Sequence, residues 1–244
     1  LVINEAPAWR LLRQFEFTDK EMLRGYFRQA CGLDASATSA AVHRWLSQNS
    51  GTFAAIFPDT DLSHAHKLDL SYGSATAVNI PEAPDTKALN TSIAADLAQV
   101  DASVAIGGWG EARPIYNGRA YGKCSSDPLA VPRTHHLGVD ITLEAGTTVC
   151  APLNATVWAA GYAADQFDYG GYAVLQHATS TGEKFFSLYG HLNADSLSHL
   201  KVGGTLQAGD TIGKLGTYDE NGGWWPHLHL QLMTETPPLD NTPP

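Results

Sequence analysis

Cysteine and charged residues are both scarce in this sequence. Only 16% of the 244 residues are charged, and the three cysteines, Cys31, Cys124 and Cys150, are odd in number and show no CxxC spacing. The cysteines therefore indicate neither a disulfide framework nor a thiolate zinc site, and they mildly favour a reducing compartment. No apolar run approaches the roughly 20 residues that a membrane-spanning helix needs. With 43% hydrophobic residues, we expect a globular protein with a sizeable core.

Basic residues are also few. The chain has 15 Lys and Arg against 25 Asp and Glu, which gives a net charge of -10 and disfavours nucleic acid or an anionic membrane as a partner. The first residues lack the basic and apolar regions of a secretory signal, so we expect a cytoplasmic location. Export stays open because the chain begins with Leu1. That start and the Pro-rich stretch 236–244, which resembles a linker, suggest a piece of a longer polypeptide.

The first hundred residues predict a mixed helical segment, which we treat as a separate region, 1–101. Apolar residues recur at helical spacing in three stretches: 18–31, 36–48 and 85–100. Two short alternating runs predict strands: 67–72 and 75–80. No motif in this region carries convincing chemistry.

After residue 101 the sequence becomes rich in Gly and Thr, and β-branched or aromatic residues alternate with polar ones. This pattern predicts a mainly β domain over 102–235, an antiparallel sheet or sandwich that follows an α+β N-terminal segment. Seven strands are predicted: 137–142, 147–151, 155–161, 173–177, 184–189, 211–215 and 227–233.

Two motifs together supply the ligands of a catalytic zinc ion. Such sites usually have three protein ligands of N or O type and keep a fourth position for water. The motifs are His136-x-Gly-x-Asp140 and His227-x-His229. An extended chain would hold His136 and Asp140 roughly 13 Å apart at about 3.3 Å per residue, but Gly138 permits a bend or a close backbone approach. We therefore predict His136, Asp140 and His229 as metal ligands.

Two further histidines are candidates for proton transfer. His227 shares its strand face with His229, and His191 ends the apolar run Leu188-Tyr189-Gly190 at an expected turn. Both could hydrogen-bond the zinc-bound water, accept its proton and stabilise the oxyanion formed at an amide carbonyl. The predicted reaction is hydrolysis of an amide bond.

These motifs resemble peptidase family M23, the lysostaphin-like or LytM-like zinc endopeptidases, which cut peptide cross-links in bacterial cell walls. The resemblance covers roughly 133–232 and rests on motifs in the family's order: His136-x-Gly-x-Asp140, Ala145-Gly-Thr-Thr-Val-Cys-Ala-Pro152 with Val157, Tyr189-Gly-His191-Leu, Gly209-Asp-x-Ile-Gly213 and Pro226-His227-Leu-His229. It implies a lysostaphin-like duplicated hybrid motif as the fold and zinc as the cofactor. It also implies His136, Asp140 and His229 as ligands and His191 and His227 as catalytic histidines.

The same likeness leaves the substrate and the neighbouring domains open. A wall peptide is the family's usual substrate, but the missing signal and the negative charge make a cytoplasmic peptide or small amide equally reasonable. The chain also resembles M23-like domains that lie between a kinase-like domain and a class III aminotransferase in bacterial fusion proteins. That second resemblance rests on short segments: Ala30-Cys-Gly-Leu33, Trp45-Leu46 and Leu68-Asp-Leu-Ser71. It implies those two domains as partners in one polypeptide.

One loop differs from the family's pattern, and a second loop precedes the first motif. The stretch 217–225 is bulkier and more acidic than the Ser/Thr/Gly-rich stretch that usually precedes the final His-x-His, so substrate preference could differ. The Gly/aromatic stretch 107–116 is interpreted as a structural connector, with Trp109 and Tyr116 as candidate ligand contacts.

Two alternative functions remain. A non-catalytic zinc-binding or scaffolding module would retain the fold without turnover. A lipoyl or biotinyl carrier domain shares the Gly-Asp-x-Ile-Gly pattern, but no lysine stands at an expected hairpin tip. Among the ten histidines, His64 and His66 imitate the His-x-His pattern without a companion carboxylate motif, and we expect both on the surface. Three more are expected to be structural, His43, His177 and His199, while His135 is a candidate for a residue that contacts a metal ligand.

Overall fold

The computed structural model describes residues 37–79, 86–117 and 135–235. Within these ranges the chain forms two α-helices, α1 (Ala37–Asn49) and α2 (Thr86–Gln99). Both confirm helices predicted from the spacing of apolar residues. The helix predicted over 18–31 and the linker 236–244 lie outside the described residues.

In the described ranges, ten strands form one large sheet and one small one. In chain order they are β1 (His66–Leu68), β2 (Ala105–Gly107), β3 (Val139–Thr142), β4 (Thr148–Cys150), β5 (Ala155–Ala163), β6 (Gly170–Ala178), β7 (Lys184–Leu192), β8 (Thr205–Leu206), β9 (Thr211–Lys214) and β10 (His227–Met233). The eight-stranded sheet has the order β1-β2-β3-β10-β7-β6-β5-β8, and β4 pairs with β9. All pairs are antiparallel except β1 with β2. The mainly β, antiparallel fold class is confirmed.

One predicted strand is wrong, and two strands were not predicted. Residues 75–80 were expected to be extended, but Ala77–Asn79 forms a 3₁₀ helix. The cause is local, because the Ser74 hydroxyl accepts a hydrogen bond from the Ala77 amide at 3.0 Å, and this cap competes with an extended backbone. Strands β2 and β8 have three and two residues, and no predicted alternating run covers either of them.

Alternation along the central strands separates the core from the site. Leu228 and Ile141 point into the main hydrophobic cluster with Tyr189 and Leu175. Burying one such leucine contributes about 1.5–3 kcal/mol. Because neighbours along a strand face opposite sides, the polar residues beside Leu228 and Ile141 lie on the other face of the sheet.

The segment before residue 102 joins this architecture. Strand β1 extends the sheet by pairing with β2, and α2 packs beneath with Leu89, Ile93 and Leu97, which recur every four residues on one helix face. The division between 1–101 and 102–235 stays a prediction. Among the described helices, none combines the length and apolar character required to cross a bilayer.

Candidate metal centre

Asp140 and His229 face each other across the pairing of β3 and β10. They are direct cross-strand partners, and neighbours so placed on one face have Cβ atoms about 4.5–5.5 Å apart. The Asp140 Oδ1 and His229 Nδ1 atoms lie 3.1 Å apart, and both residues are buried. The register of one antiparallel pair therefore brings together two of the predicted ligands.

His136 reaches the same point from just before β3. Its Nε2 lies 3.0 Å from His229 Nδ1 and 3.1 Å from Asp140 Oδ1. Gly138 makes this possible, because a Cβ there would come within 2.5 Å of the His229 Cε1 atom. The close backbone approach foreseen for Gly138 is thus present, and the space that it leaves is filled by a ligand's own ring.

These three atoms fit a metal ion. Their mutual separations of 3.0 to 3.1 Å are close to the edge of about 3.3 Å that a tetrahedron has when zinc–ligand bonds are near 2.0 Å. His136 Nδ1 donates a hydrogen bond to the Gly108 carbonyl at 3.0 Å. A neutral His136 therefore carries its lone pair on Nε2, which is aimed at His229 and Asp140. Two imidazole nitrogens and a carboxylate oxygen that converge in this way favour a cation between them.

The loop before the motif orients these ligands, and sequence reasoning missed that role. The Gly110 amide donates to the His136 carbonyl at 2.7 Å, and the His136 amide donates to the Glu111 carbonyl at 2.9 Å. Buried Arg113 forms an ion pair with Asp140 Oδ2 at 2.5 Å and another with Glu111 at 2.8 Å. The stretch interpreted as a structural connector thus also fixes a ligand carboxylate. The available signal was a lone arginine in a segment otherwise poor in charge.

Electrostatics keep the Asp140 carboxylate ionised. Burial alone would raise its pKa, but electrostatic attraction by the His136 ring and the Arg113 guanidinium outweighs burial and holds the pKa of Asp140 well below its usual range. Because Arg113 contacts Oδ2, Oδ1 is left to face the two imidazoles. The carboxylate is therefore both charged and oriented for binding a cation.

His191 and His227 stand side by side next to this group. Their ring centroids are 4.2 Å apart, and His227 Nε2 lies 3.6 Å from Asp140 Oδ1. His191 Nδ1 donates to the Asn221 carbonyl at 2.9 Å, and His227 Nδ1 donates to the Trp225 carbonyl at 2.6 Å. Since a carbonyl only accepts, both neutral rings carry their lone pair on Nε2.

Both rings are set up to be neutral near pH 7. Burial, reinforced by the charges of His227 and His229, lowers the pKa of His191 well below its usual range. Burial also lowers the pKa of His227 and of His229, although the Asp140 charge opposes it in each case. A neutral imidazole can bind a metal or accept a proton, which are the two roles predicted for these residues.

Tyr169 is a further neighbour that the sequence did not reveal. Its ring centroid lies 5.2 Å from that of His229 and 5.7 Å from that of His191. Its carbonyl accepts the His191 amide at 2.8 Å. This bond accompanies a positive φ of 63° at His191, where the strand turns the ring toward the group.

The remaining histidines lie apart. His64 is exposed, as expected, but His66 is only partly exposed, and its Nε2 lies 2.9 Å from Asp96 Oδ2 on α2. His66 is thus less exposed than expected, because the fold brings α2 against β1. His177 is buried among protein partners. Trp224 packs in a hydrophobic cluster, while Trp109 is 46% exposed.

Comparison with known proteins assigns this region. Residues 134–241 match the model of peptidase family M23. This part of the chain is an M23 peptidase domain. A Haemophilus influenzae protein described as an uncharacterized metalloprotease is 35% identical over 97 residues, which cover 40% of this chain and 18% of that protein. The chain thus spans less than a fifth of the length of this curated relative. The M23 match and this relative indicate a metallopeptidase.

Solved structures of two peptidases are also similar. The catalytic domain of the antimicrobial peptidase lysostaphin from Staphylococcus simulans is 32% identical, with 43% of this chain and 72% of that chain covered and a TM-score of 0.33. A zinc containing peptidase from Vibrio cholerae is 23% identical, with 44% of this chain and 29% of that chain covered and a TM-score of 0.34.

Proposed function

We propose that this M23 domain is a zinc-dependent hydrolase that cleaves a peptide or related amide bond as an endopeptidase. The observation that carries the proposal is the convergence of His136 Nε2, His229 Nδ1 and Asp140 Oδ1 within 3.1 Å of one another. Such a set matches the three-ligand count of catalytic zinc sites. Thiolates contribute nothing to it, and the mixed N and O donors suit zinc among the common metals.

His136, Asp140 and His229 are the residues that would hold the ion. When bound by three such ligands, zinc supplies a Lewis acid that polarises a carbonyl and makes water acidic near neutral pH. The chain itself keeps the ligands in their binding forms. The Gly108 carbonyl holds the His136 proton on Nδ1, and Arg113 holds Asp140 as a carboxylate with one oxygen facing inward.

His191 and His227 would move the protons. Each holds its own proton on Nδ1 against a carbonyl, so each Nε2 is free to accept a proton from the attacking water. That proton can then pass to the nitrogen of the departing amine. As donors in their protonated forms, the two rings would also stabilise negative charge on the carbonyl oxygen.

The proposed substrate is defined by its reactive bond, an amide. A peptide or a small amide presents the carbonyl that this arrangement can attack. The kinase-like and aminotransferase domains implied by the second resemblance would be neighbours in the same polypeptide.

Metal content and turnover test the proposal together. We expect near-stoichiometric zinc in the purified chain, and its loss in His229→Ala and Asp140→Ala. The exposed residue His64 gives the control, and His64→Ala should retain the metal. Hydrolysis would be followed with a mixture of internally quenched fluorescent peptides.

The possible outcomes separate the candidate functions. A metal-free protein that cannot be reconstituted with zinc would contradict the proposal. Stoichiometric zinc without turnover of any peptide or amide would indicate the non-catalytic zinc-binding module instead. Turnover that survives in His229→Ala would assign the chemistry to another site.

A further inference from the structure

Residues 217–225 form a loop, here called the orienting loop, whose backbone holds both candidate proton-transfer histidines. The Asn221 carbonyl accepts from His191 Nδ1, and the Trp225 carbonyl accepts from His227 Nδ1. These two bonds decide which ring nitrogen carries the proton. Whatever fixes the loop therefore fixes the protonation pattern of the two rings.

Helix α2 holds the backbone of this loop through the side-chain amide of Asn90. Asn90 Oδ1 accepts the Trp225 amide at 2.7 Å, and Asn90 Nδ2 donates to the Gly223 carbonyl at 3.1 Å. The assignment of the two amide ends is unambiguous, because the backbone N–H needs an acceptor and the backbone carbonyl needs a donor. One side chain thus restrains two backbone positions in the orienting loop.

The restraint on Trp225 extends to His227. The amide held by Asn90 and the carbonyl that accepts from His227 belong to the same residue, Trp225. Fixing its nitrogen limits the direction in which its carbonyl can point. The chain of contacts runs from Asn90 through Trp225 to the Nδ1 of His227, without passing through a metal ligand.

The first turn of α2 holds the orienting loop at two more points. Thr86 Oγ1 lies 2.9 Å from the Tyr218 hydroxyl. Gly223 adopts a φ of +86° against Thr86, and a Cβ at Gly223 would lie 3.2 Å from the Thr86 side chain. The loop therefore contacts α2 over several residues. Asn90 makes the two hydrogen bonds that join an α2 side chain to the loop backbone.

We propose that Asn90 is a positioning residue for the reaction: by holding Trp225 it keeps His227 in the Nδ1–H tautomer, with Nε2 free to take a proton. The inference rests on the proposed function, since it assigns His227 a part in hydrolysis. It also goes beyond that function, because α2 precedes the matched segment 134–241. A helix outside the M23 match would thus complete the site.

The physical consequence of losing Asn90 is specific. Without that side chain the Trp225 amide has no Asn90 oxygen to donate to, and a partly buried donor without an acceptor is unfavourable. The loop would relax to recover a partner, and the Trp225 carbonyl would turn with it. His227 Nδ1 then loses the fixed acceptor that favours its Nδ1–H form, and the Nε2–H form cannot accept a proton at Nε2.

Imidazole NMR tests this inference without any turnover. Long-range ¹H–¹⁵N correlations of the zinc-loaded, ¹⁵N-labelled chain report which ring nitrogen of each histidine is protonated. We expect His227 as Nδ1–H in the wild type and in Thr91→Ala, a control on the exposed side of the same helix. In Asn90→Ala, His227 should lose that pattern, while His191, held by Asn221, keeps it. Asn90→Asp, which retains the acceptor for Trp225, should restore it.

Several results would overturn the inference. One is an Asn90→Ala protein that still has His227 as Nδ1–H. Another is a wild-type Trp225 amide that exchanges with solvent as fast as an unprotected one, which needs no variant and so covers the case in which Asn90→Ala does not fold. If the tautomer depends on Asn90 but the wild type hydrolyses no peptide or amide, then the proposed function fails, and only the contact from Asn90 through Trp225 to His227 stands, without a part in catalysis.

Discussion

Two buried histidine clusters lie in the same sheet and differ in the direction of their ring nitrogens. On β6, His177 Nδ1 donates to the Asn154 carbonyl at 3.1 Å, and its Nε2 accepts from the Ser187 hydroxyl at 2.7 Å. The Tyr189 hydroxyl lies 3.2 Å from Ser187 Oγ. Every ring nitrogen of His177 thus has a protein partner of the opposite kind.

In the metal centre, the facing ring nitrogens of His136 and His229 are instead next to groups that can also accept hydrogen bonds. His136 Nε2 and His229 Nδ1 are 3.0 Å apart, and both point at the Asp140 carboxylate. Burial is the same in the two clusters, at 3% exposure for His177 and 2% for His136. Converging lone pairs, and not burial, therefore distinguish a cation site from a histidine that stabilises the core.

Replacing one histidine of each cluster by alanine should give the largest difference between the two clusters in turnover and stability. His191→Ala should retain zinc but lower turnover about 10²–10⁴-fold, the usual contribution of a positioned acid or base. His177→Ala should leave the metal and the kinetics of the folded protein unchanged. It should lower the free energy of unfolding by about 1–3 kcal/mol, because the Asn154 carbonyl and the buried Ser187 hydroxyl each lose a hydrogen-bond partner.

Three measurements check this contrast: elemental zinc content, steady-state kinetics on the peptides that the wild type cleaves, and urea unfolding followed by tryptophan fluorescence. If His177→Ala abolished turnover in protein that remained folded, the two clusters would not be separable. If His191→Ala lost its zinc, His191 would have to be counted among the metal ligands.

A charged side chain, Arg113, supports the metal centre, whereas the hydrogen-bond partners of His177 are uncharged. Arg113→Ala should weaken zinc affinity about 10–100-fold, as is usual when a group that orients a ligand is removed. The cause would be a carboxylate freed to rotate, because Oδ2 of Asp140 loses its ion pair. Arg44→Ala, on the exposed side of α1, is the matched control. Competition with a chromogenic zinc chelator measures both, and equal affinities would refute the role of Arg113.

The sequence predicted the converging ligands better than it predicted their support. His136, Asp140 and His229 lie in short motifs, and strand periodicity indicates which way they face. Arg113 and Asn90 contact the site only because β2 and α2 fold against it, and no local spacing encodes such contacts. His66 illustrates the same limit, since its partner Asp96 is brought near by the packing of α2 on β1.

Local competition explains the errors in secondary structure. Residues 75–80 carry a weak alternating pattern, and one Ser74 hydroxyl is enough to favour a 3₁₀ turn over a strand. The long strands β6, β7 and β10 were predicted because each holds several alternating residues. Strand β2 has three residues and is visible only through its pairing with β1 and β3.

The smallest expected effect is a pH dependence of the stability of the metal-free protein. Burial lowers the pKa of His191, His227, His229 and His177 below the usual 6.5. Between the folded and unfolded pKa values the unfolded chain binds more protons, so the free energy of unfolding falls as the pH drops below about 6.5. Each such histidine contributes at most about 1.4 kcal/mol per pH unit. Asp140 titrates below this window, because its pKa is held well below its usual range.

Zinc should separate the two clusters in this experiment. Metal binding requires neutral imidazoles at His136 and His229, so zinc makes the decline on acidification steeper for the metal centre. The contribution of His177 is the same with or without the metal, because no ligand contacts it. Urea unfolding at pH 7.0, 6.0 and 5.0, with zinc and with chelator, would measure both slopes. A slope that zinc leaves unchanged would mean that the converging nitrogens bind no ion, and the metal centre would then differ from the His177 cluster in geometry alone.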